Sequence, residues 1–61
     1  MNRLAELMEA QGVAVKQMAH LAGIPERTVY RHYRKQTQID LPQAAAYAKA
    51  LRIKIEDLVA A

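Results

Sequence analysis

The chain has 61 residues, 52% of them hydrophobic and 25% charged, with a formal net charge of +3. That balance belongs to a folded domain near the lower size limit for folding without staples, not to a disordered tail. Cysteine is absent, which excludes a disulfide scaffold and any thiolate metal site, and His20 and His32 are too few to hold a metal on their own, so no cofactor is expected.

No apolar run approaches the length of a membrane span, and the opening "MNRLAELMEA" carries acids where a secretory leader would be apolar. A cytoplasmic protein with no membrane partner is expected. The charge is unevenly placed. Residues 1–15 set Arg3 against Glu6 and Glu9, and residues 36–61 balance Lys49, Arg52 and Lys54 against Asp40, Glu56 and Asp57. The middle stretch carries Lys16, Arg27, Arg31, Arg34 and Lys35 against Glu26 alone, so the whole excess lies where a polyanion can use it.

Taken in chain order, the elements read as helices throughout. No alternating run of β-branched and aromatic residues is long enough for a strand, and Ala, Leu, Gln, Glu, Lys and Arg dominate. Asn2 can cap a first helix of about ten residues with Leu4, Leu7 and Met8 on one face, stopped by Gly12. A second helix over about 15–22 buries Met18, Ala19 and Ala22 and stops at Gly23. Pro25 opens a third, about 25–35, since proline suits a first turn whose N–H is unpaired anyway. After the loop "QTQI", Asp40 and Gln43 have capping-box spacing for a fourth helix, "LPQAAAYAKAL", whose packing face reads Leu41, Ala44, Ala48 and Leu51. A short fifth helix over about 55–60 presents Ile55, Leu58 and Val59. The expected fold is all-α, five helices in a single domain spanning 1–61.

The third helix has two faces. At 100° per residue, Arg27, Arg31 and Arg34 fall within about 60° of one another, while Val29, His32 and Tyr33 lie on the far side. A charge run is usually just a solvated surface. Here the cations lack glutamates at i+4 to neutralise them, and they face away from the apolar side behind a tight glycine turn. Two short helices joined in that way, the second basic on its free face, describe a helix-turn-helix over about 15–35.

The residues "VKQMAHLAGIPERTVYRHYR" resemble the helix-turn-helix of the lambda-repressor/Cro-like (Xre-type) family: small Ala19 where the second helix packs, Gly23 at the turn, and Ile24 and Val29 locking the pair. "AAAYAKALRIKIEDLVA" is similar to the closing helices of that family, so the likeness covers nearly the whole chain. The chain departs from the family pattern at Arg52, where glycine is usual, at Val15, where a phosphate-contacting glutamine is common, and at Tyr33-Arg34-Lys35, which replaces Glu-x-Gly. Locally, "AGIPERTVYRHY" also resembles the reading helix of the tetracycline-repressor family, whose large ligand-binding domain has no counterpart in these residues.

Both resemblances imply binding to double-stranded DNA, with the third helix in the major groove. Arg27 and Arg31 are then the candidates for base reading, a guanidinium fork matching the two acceptors of guanine, with Glu26 suited to a cytosine amino group and Thr28 to a thymine methyl. Lys16, Gln17, Tyr30, Arg34, Lys35, Thr37 and Gln38 are assigned to phosphates. A homodimer on an inverted-repeat operator is expected, held weakly or with help from the DNA through Leu58 and Val59. His32 has two readings, packing between Val29 and Tyr33 or contacting a phosphate, and Tyr47 belongs to the core or a subunit contact.

The expected role is therefore a transcriptional regulator, a repressor of bacterial or phage type associated with the nucleoid. The alternative is a protein-binding module, such as an antitoxin or a regulator's partner, built on the same fold. Catalysis lacks support: there is no Ser or Cys nucleophile and no glycine-rich phosphate loop, and so small a domain gives little room for a substrate cleft.

Overall fold

In the computed structural model, which describes residues 3–59, the chain forms α1 (Leu4–Gln11), α2 (Val15–Ala22), α3 (Glu26–Tyr33), α4 (Leu41–Leu51) and α5 (Ile55–Val59). There is no strand among the described residues, and no helix among them is long and apolar enough to cross a membrane. The all-α, five-helix expectation holds. α4 is central, packing against α1, α2 and α5, while α3 lies across α2 and α1.

One core joins all five helices: Leu4 and Met8 from α1, Met18 from α2, Ile24 from the turn, Val29 from α3, Ala44, Tyr47 and Leu51 from α4, and Leu58 from α5. Each fully buried aliphatic side chain contributes about 1.5–3 kcal/mol relative to exposure. So small a domain cannot lose many of them.

Two expected roles are corrected by this packing. Leu58, assigned to a subunit interface, is fully buried, because α5 folds back so that this residue meets the core and its carbonyl accepts from the Arg3 N–H at 2.8 Å. Leu41, assigned to the packing face, is 71% exposed: it is the first residue of α4, and helical side chains tilt toward the N-terminus, so it projects past the packed layer.

Helix ends follow the sequence signals closely. Asp40 accepts from the Gln43 N–H at 2.8 Å and the Gln43 side chain accepts from the Asp40 N–H at 3.3 Å, completing the capping box. Asn2, expected to cap α1, lies outside the described residues; the position before the helix is Arg3, whose side chain makes no capping bond. α3 begins one residue later than expected, with Pro25 at its N-cap, and ends at Tyr33 instead of 35.

The early end of α3 has a backbone cause. Lys35 adopts φ 59°, and its N–H and that of Gln36 close back on the His32 and Arg31 carbonyls. Arg52 ends α4 in the same way, at φ 58°. Gly12 and Gly23, at φ 69° and 68°, do so where no Cβ penalty applies. Lys35 and Arg52 stand at two of the positions where the sequence departs from the glycines of the family it resembles.

A Cβ built on Gly23 meets nothing within 4 Å, so the cost of a side chain there is backbone strain and not a clash. Gly23→Val should lower stability by about 1–3 kcal/mol, a β-branched residue being badly suited to positive φ. Arg52→Gly should raise it by about 0.5–1 kcal/mol, strain relieved exceeding the entropy added to the unfolded chain. Urea melts of both variants check the pair, and shifts of the same sign would contradict the left-handed turns.

Candidate nucleic-acid interface

α3 is held from below and free above. Val29 and His32 are buried on its inner face, 0% and 2% exposed, and Tyr33 is half-buried against the core. The same helical repeat turns Glu26, Arg27, Tyr30, Arg31 and Arg34 to solvent, with Thr28 half-buried at the edge. Among the described residues the ion pair present is Lys35 with Glu6, so the Arg27 and Arg31 guanidiniums have no carboxylate partner there.

Other assigned residues belong to different elements. Lys16 and Gln17 are exposed on the first turn of α2, where Ala14 occupies the N-cap and supplies no side-chain acceptor for the turn's free N–H groups. Thr37 and Gln38 are exposed in the loop between α3 and α4. Tyr30 and Arg34 are already joined. The Arg34 Nη1 donates to the Tyr30 hydroxyl at 2.8 Å, and its guanidinium carbon lies 5.6 Å from the ring centroid.

Lys35 is corrected. Its left-handed backbone carries the side chain off the basic stripe toward α1, where the ammonium lies 3.3 Å from the Glu6 carboxylate. The contact links the end of α3 to α1. Beside it, the Tyr33 hydroxyl donates to Glu9 at 2.7 Å, a hydrogen bond that pushes the phenol pKa up. The Glu6 carboxyl is held below its ordinary value, first by a backbone hydrogen bond and then by Lys35. Sequence reading missed both links, since nothing in the spacing announces which helices will be neighbours.

His32 packs in the core. Its Nδ1 lies 2.7 Å from the Tyr47 hydroxyl, and the rings meet edge to face with centroids 5.6 Å apart and planes at 88°. Of its two readings, packing is the one the structure shows, and Tyr47 is a core residue, 0% exposed. Burial lowers the His32 pKa, although the Asp40 carboxylate and a hydrogen bond with the Gln38 backbone pull the other way. Burial pushes the Tyr47 phenol up to about 12, and Asp40 adds to the shift. The neutral imidazole therefore suits its site, accepting from the tyrosine hydroxyl in the tautomer that leaves Nδ1 unprotonated.

The sign of the pH dependence follows. A histidine with a depressed native pKa favours the fold above its ordinary value of 6.5, and that contribution is lost as pH falls below it through the native pKa. Thermal melts from about pH 8 down to pH 5 should show a falling melting temperature. His32→Gln should flatten that fall while lowering stability overall. An equally steep fall in the variant would place its origin elsewhere.

A family model described as a Cro/C1-type HTH DNA-binding domain matches residues 3–61. The local likeness of α3 to the tetracycline-repressor reading helix gains no support, since the match runs through all five helices and not through the recognition segment alone. No curated protein matches the chain.

Proposed function

Since the chain belongs to the Cro/C1-type helix-turn-helix DNA-binding domains, which bind double-stranded DNA, we propose that it is a sequence-specific transcriptional repressor of bacterial or phage type, acting in the cytoplasm at the nucleoid. The observation that carries this reading is the two-sided α3, with Val29 and His32 buried below and the unpartnered guanidiniums of Arg27 and Arg31 above. Electrostatic self-interest of the fold does not account for that arrangement. Like charges one turn apart repel and stabilise nothing within the chain.

In this reading α3 enters the major groove. Arg27 and Arg31 read base edges, with Glu26 and Thr28 contributing at the flanks. The exposed first turn of α2, with Lys16 and Gln17, takes one phosphate; the turn's uncapped N–H groups and its positive dipole end favour an anion there. The Tyr30–Arg34 pair takes another, and Thr37 and Gln38 hold the backbone from the following loop. One such unit reads few base pairs, each worth about 1–3 kcal/mol, so useful specificity calls for two copies on an inverted repeat with half-sites roughly 34–36 Å apart. Val59, 47% exposed at the end of α5, is the residue assigned to that contact.

Selection of bound sites from random duplexes, followed by titration of variants, tests the reading. Arg27→Ala and Arg31→Ala should each lose about 1–3 kcal/mol on the selected site, with relaxed preference at one or two base pairs. Lys16→Ala should weaken all sequences alike and reduce the salt slope by about 1. Unchanged base preference in both arginine variants would remove α3 from the reading role.

A further inference from the structure

α2 and α4 leave a groove of about 420 Å³ open to solvent, lined by Leu21, Ala22, Ala46, Lys49, Ala50 and Arg52. Its floor is three half-buried alanines packed on the core, too small to fill the space above them. Leu21 lines it as an apolar side chain, 52% exposed, and Lys49 and Arg52 stand exposed at the end of α4. None of the six is assigned to DNA. Leu21 and Ala22 close α2, whereas Lys16 and Gln17 stand in its first turn, and Lys49 and Arg52 lie at the end of α4 opposite the loop that holds Thr37 and Gln38.

The two cations have no counterpart inside the chain. Among the described residues neither has a carboxylate partner. Glu6 and Glu9 are bound to Lys35 and Tyr33, Asp40 caps α4, and Asp57 accepts from the Lys54 N–H at 3.4 Å. Glu26 opens α3, and Glu56, exposed on α5, is paired with neither cation.

Helix polarity does not account for Arg52. The end of a helix favours a cation, but an exposed one gains less than left-handed backbone costs a residue with a Cβ. Arg52 holds φ 58° where a glycine would avoid that cost. Lys35, the other non-glycine residue at positive φ, is anchored by Glu6. Arg52 has no such anchor, which points its guanidinium to a partner outside the chain.

The lining decides the chemistry of that partner. A floor of alanines has no side-chain polar group to orient a small molecule. A nucleic acid would satisfy the cations and leave Leu21 and the alanines uncovered. A protein segment covers both halves, an apolar side chain for the floor and carboxylates for the cations. We propose that the groove between α2 and α4 docks an acidic segment of a second protein, with an apolar side chain seated over Ala22, Ala46 and Ala50 against Leu21, and carboxylates facing Lys49 and Arg52. Because the lining is separate from the residues assigned to DNA, docking does not depend on α3 being on a duplex.

Selection of short random displayed peptides against the immobilised full chain, with counter-selection against Lys49→Glu/Arg52→Glu, tests the site. Recovered peptides should combine Asp or Glu with Leu, Ile, Met or Phe, and anisotropy titrations should give a Kd of about 1–100 μM. Arg52→Gly should weaken them about tenfold, and since that change relieves backbone strain, loss of the fold is not the cause. Lys49→Gln should act in the same direction, and so should Leu21→Ser, which alters no charge. Arg27→Ala should leave peptide binding unchanged, and Arg52→Gly should leave duplex binding unchanged. A selection that returns no acidic peptides overturns the proposal. So do acidic peptides that lose affinity in Arg27→Ala and keep it in Arg52→Gly, since they would be imitating DNA on α3. Weaker duplex binding in Arg52→Gly with no effect on peptides assigns the cation to phosphate and also overturns it. Sedimentation velocity covers the remaining occupant: self-association that Lys49→Glu/Arg52→Glu abolishes and the peptides leave intact gives the groove to a second copy and overturns the proposal. Peptide binding retained in a chain that binds no duplex supports the docking site and sinks the DNA reading alone.

Discussion

The buried bond between His32 and Tyr47 fixes how α3 sits on the molecule. α3 is only eight residues long, too short to persist alone in water, so its position depends on what it packs against. Val29 supplies an apolar anchor that permits some rotation and sliding. His32 does not: its Nδ1 must meet one hydroxyl, on α4, at 2.7 Å, and the ring is held edge-on to the Tyr47 ring. A buried polar atom without a partner costs about 1–3 kcal/mol, so rotating the helix away from this register carries a penalty that apolar packing alone would not impose. The direction of every outward residue on α3 follows from that one inward contact.

A second constraint comes from how the chain turns. Four helix ends close through positive φ, at Gly12, Gly23, Lys35 and Arg52. Such endings let the next segment leave sharply and keep connections to a few residues, which is how five helices share one core in so short a chain. Two of the four use glycine and incur no Cβ cost. The other two place a long cation at the corner. For Lys35 the result is a link to α1, and with the Tyr33–Glu9 bond it ties the C-terminal end of α3 down at the end opposite the glycine turn.

Much of this was legible in the sequence, and the boundary of legibility has a physical basis. Local signals carried over well: the Asp40–Gln43 box, the glycine stops at Gly12 and Gly23, and the two faces of α3 each depend on residues within one or two turns. What failed or stayed open depended on tertiary neighbours. Periodicity counts Leu41 and Leu58 as equivalent apolar positions, yet one projects past the end of α4 and the other meets the core, because only packing decides which side is covered. The wheel left His32 undecided for the same reason, since its partner lies on another helix. The end of α3 was misplaced because lysine gives no sign of left-handed backbone as glycine does. In the candidate site, the Tyr30–Arg34 pair stood at i, i+4 spacing and was within reach of sequence reading, whereas the acids on α1 that draw Lys35 aside were not.

The sorting of charge explains why a modest net charge is compatible with a strongly basic face. Four of the six acids are engaged within the fold, two holding the end of α3 and two capping helices. Exposed pairs of this kind contribute little individually, the median being about 0–1 kcal/mol, so stability is not the main consequence. Position is. By drawing Glu6 and Glu9 under the end of α3, the fold keeps them off its outer face, leaving Glu26 as the single acid on a helix with two arginines and a third, Arg34, at its C-cap. Sequence neighbours could not have produced that separation, because α1 lies far from α3 along the chain. It arises only when both helices pack and the acids of one are spent on the tyrosine and lysine at the end of the other, so the same contacts that hold the C-terminal end of α3 also leave its outer face basic.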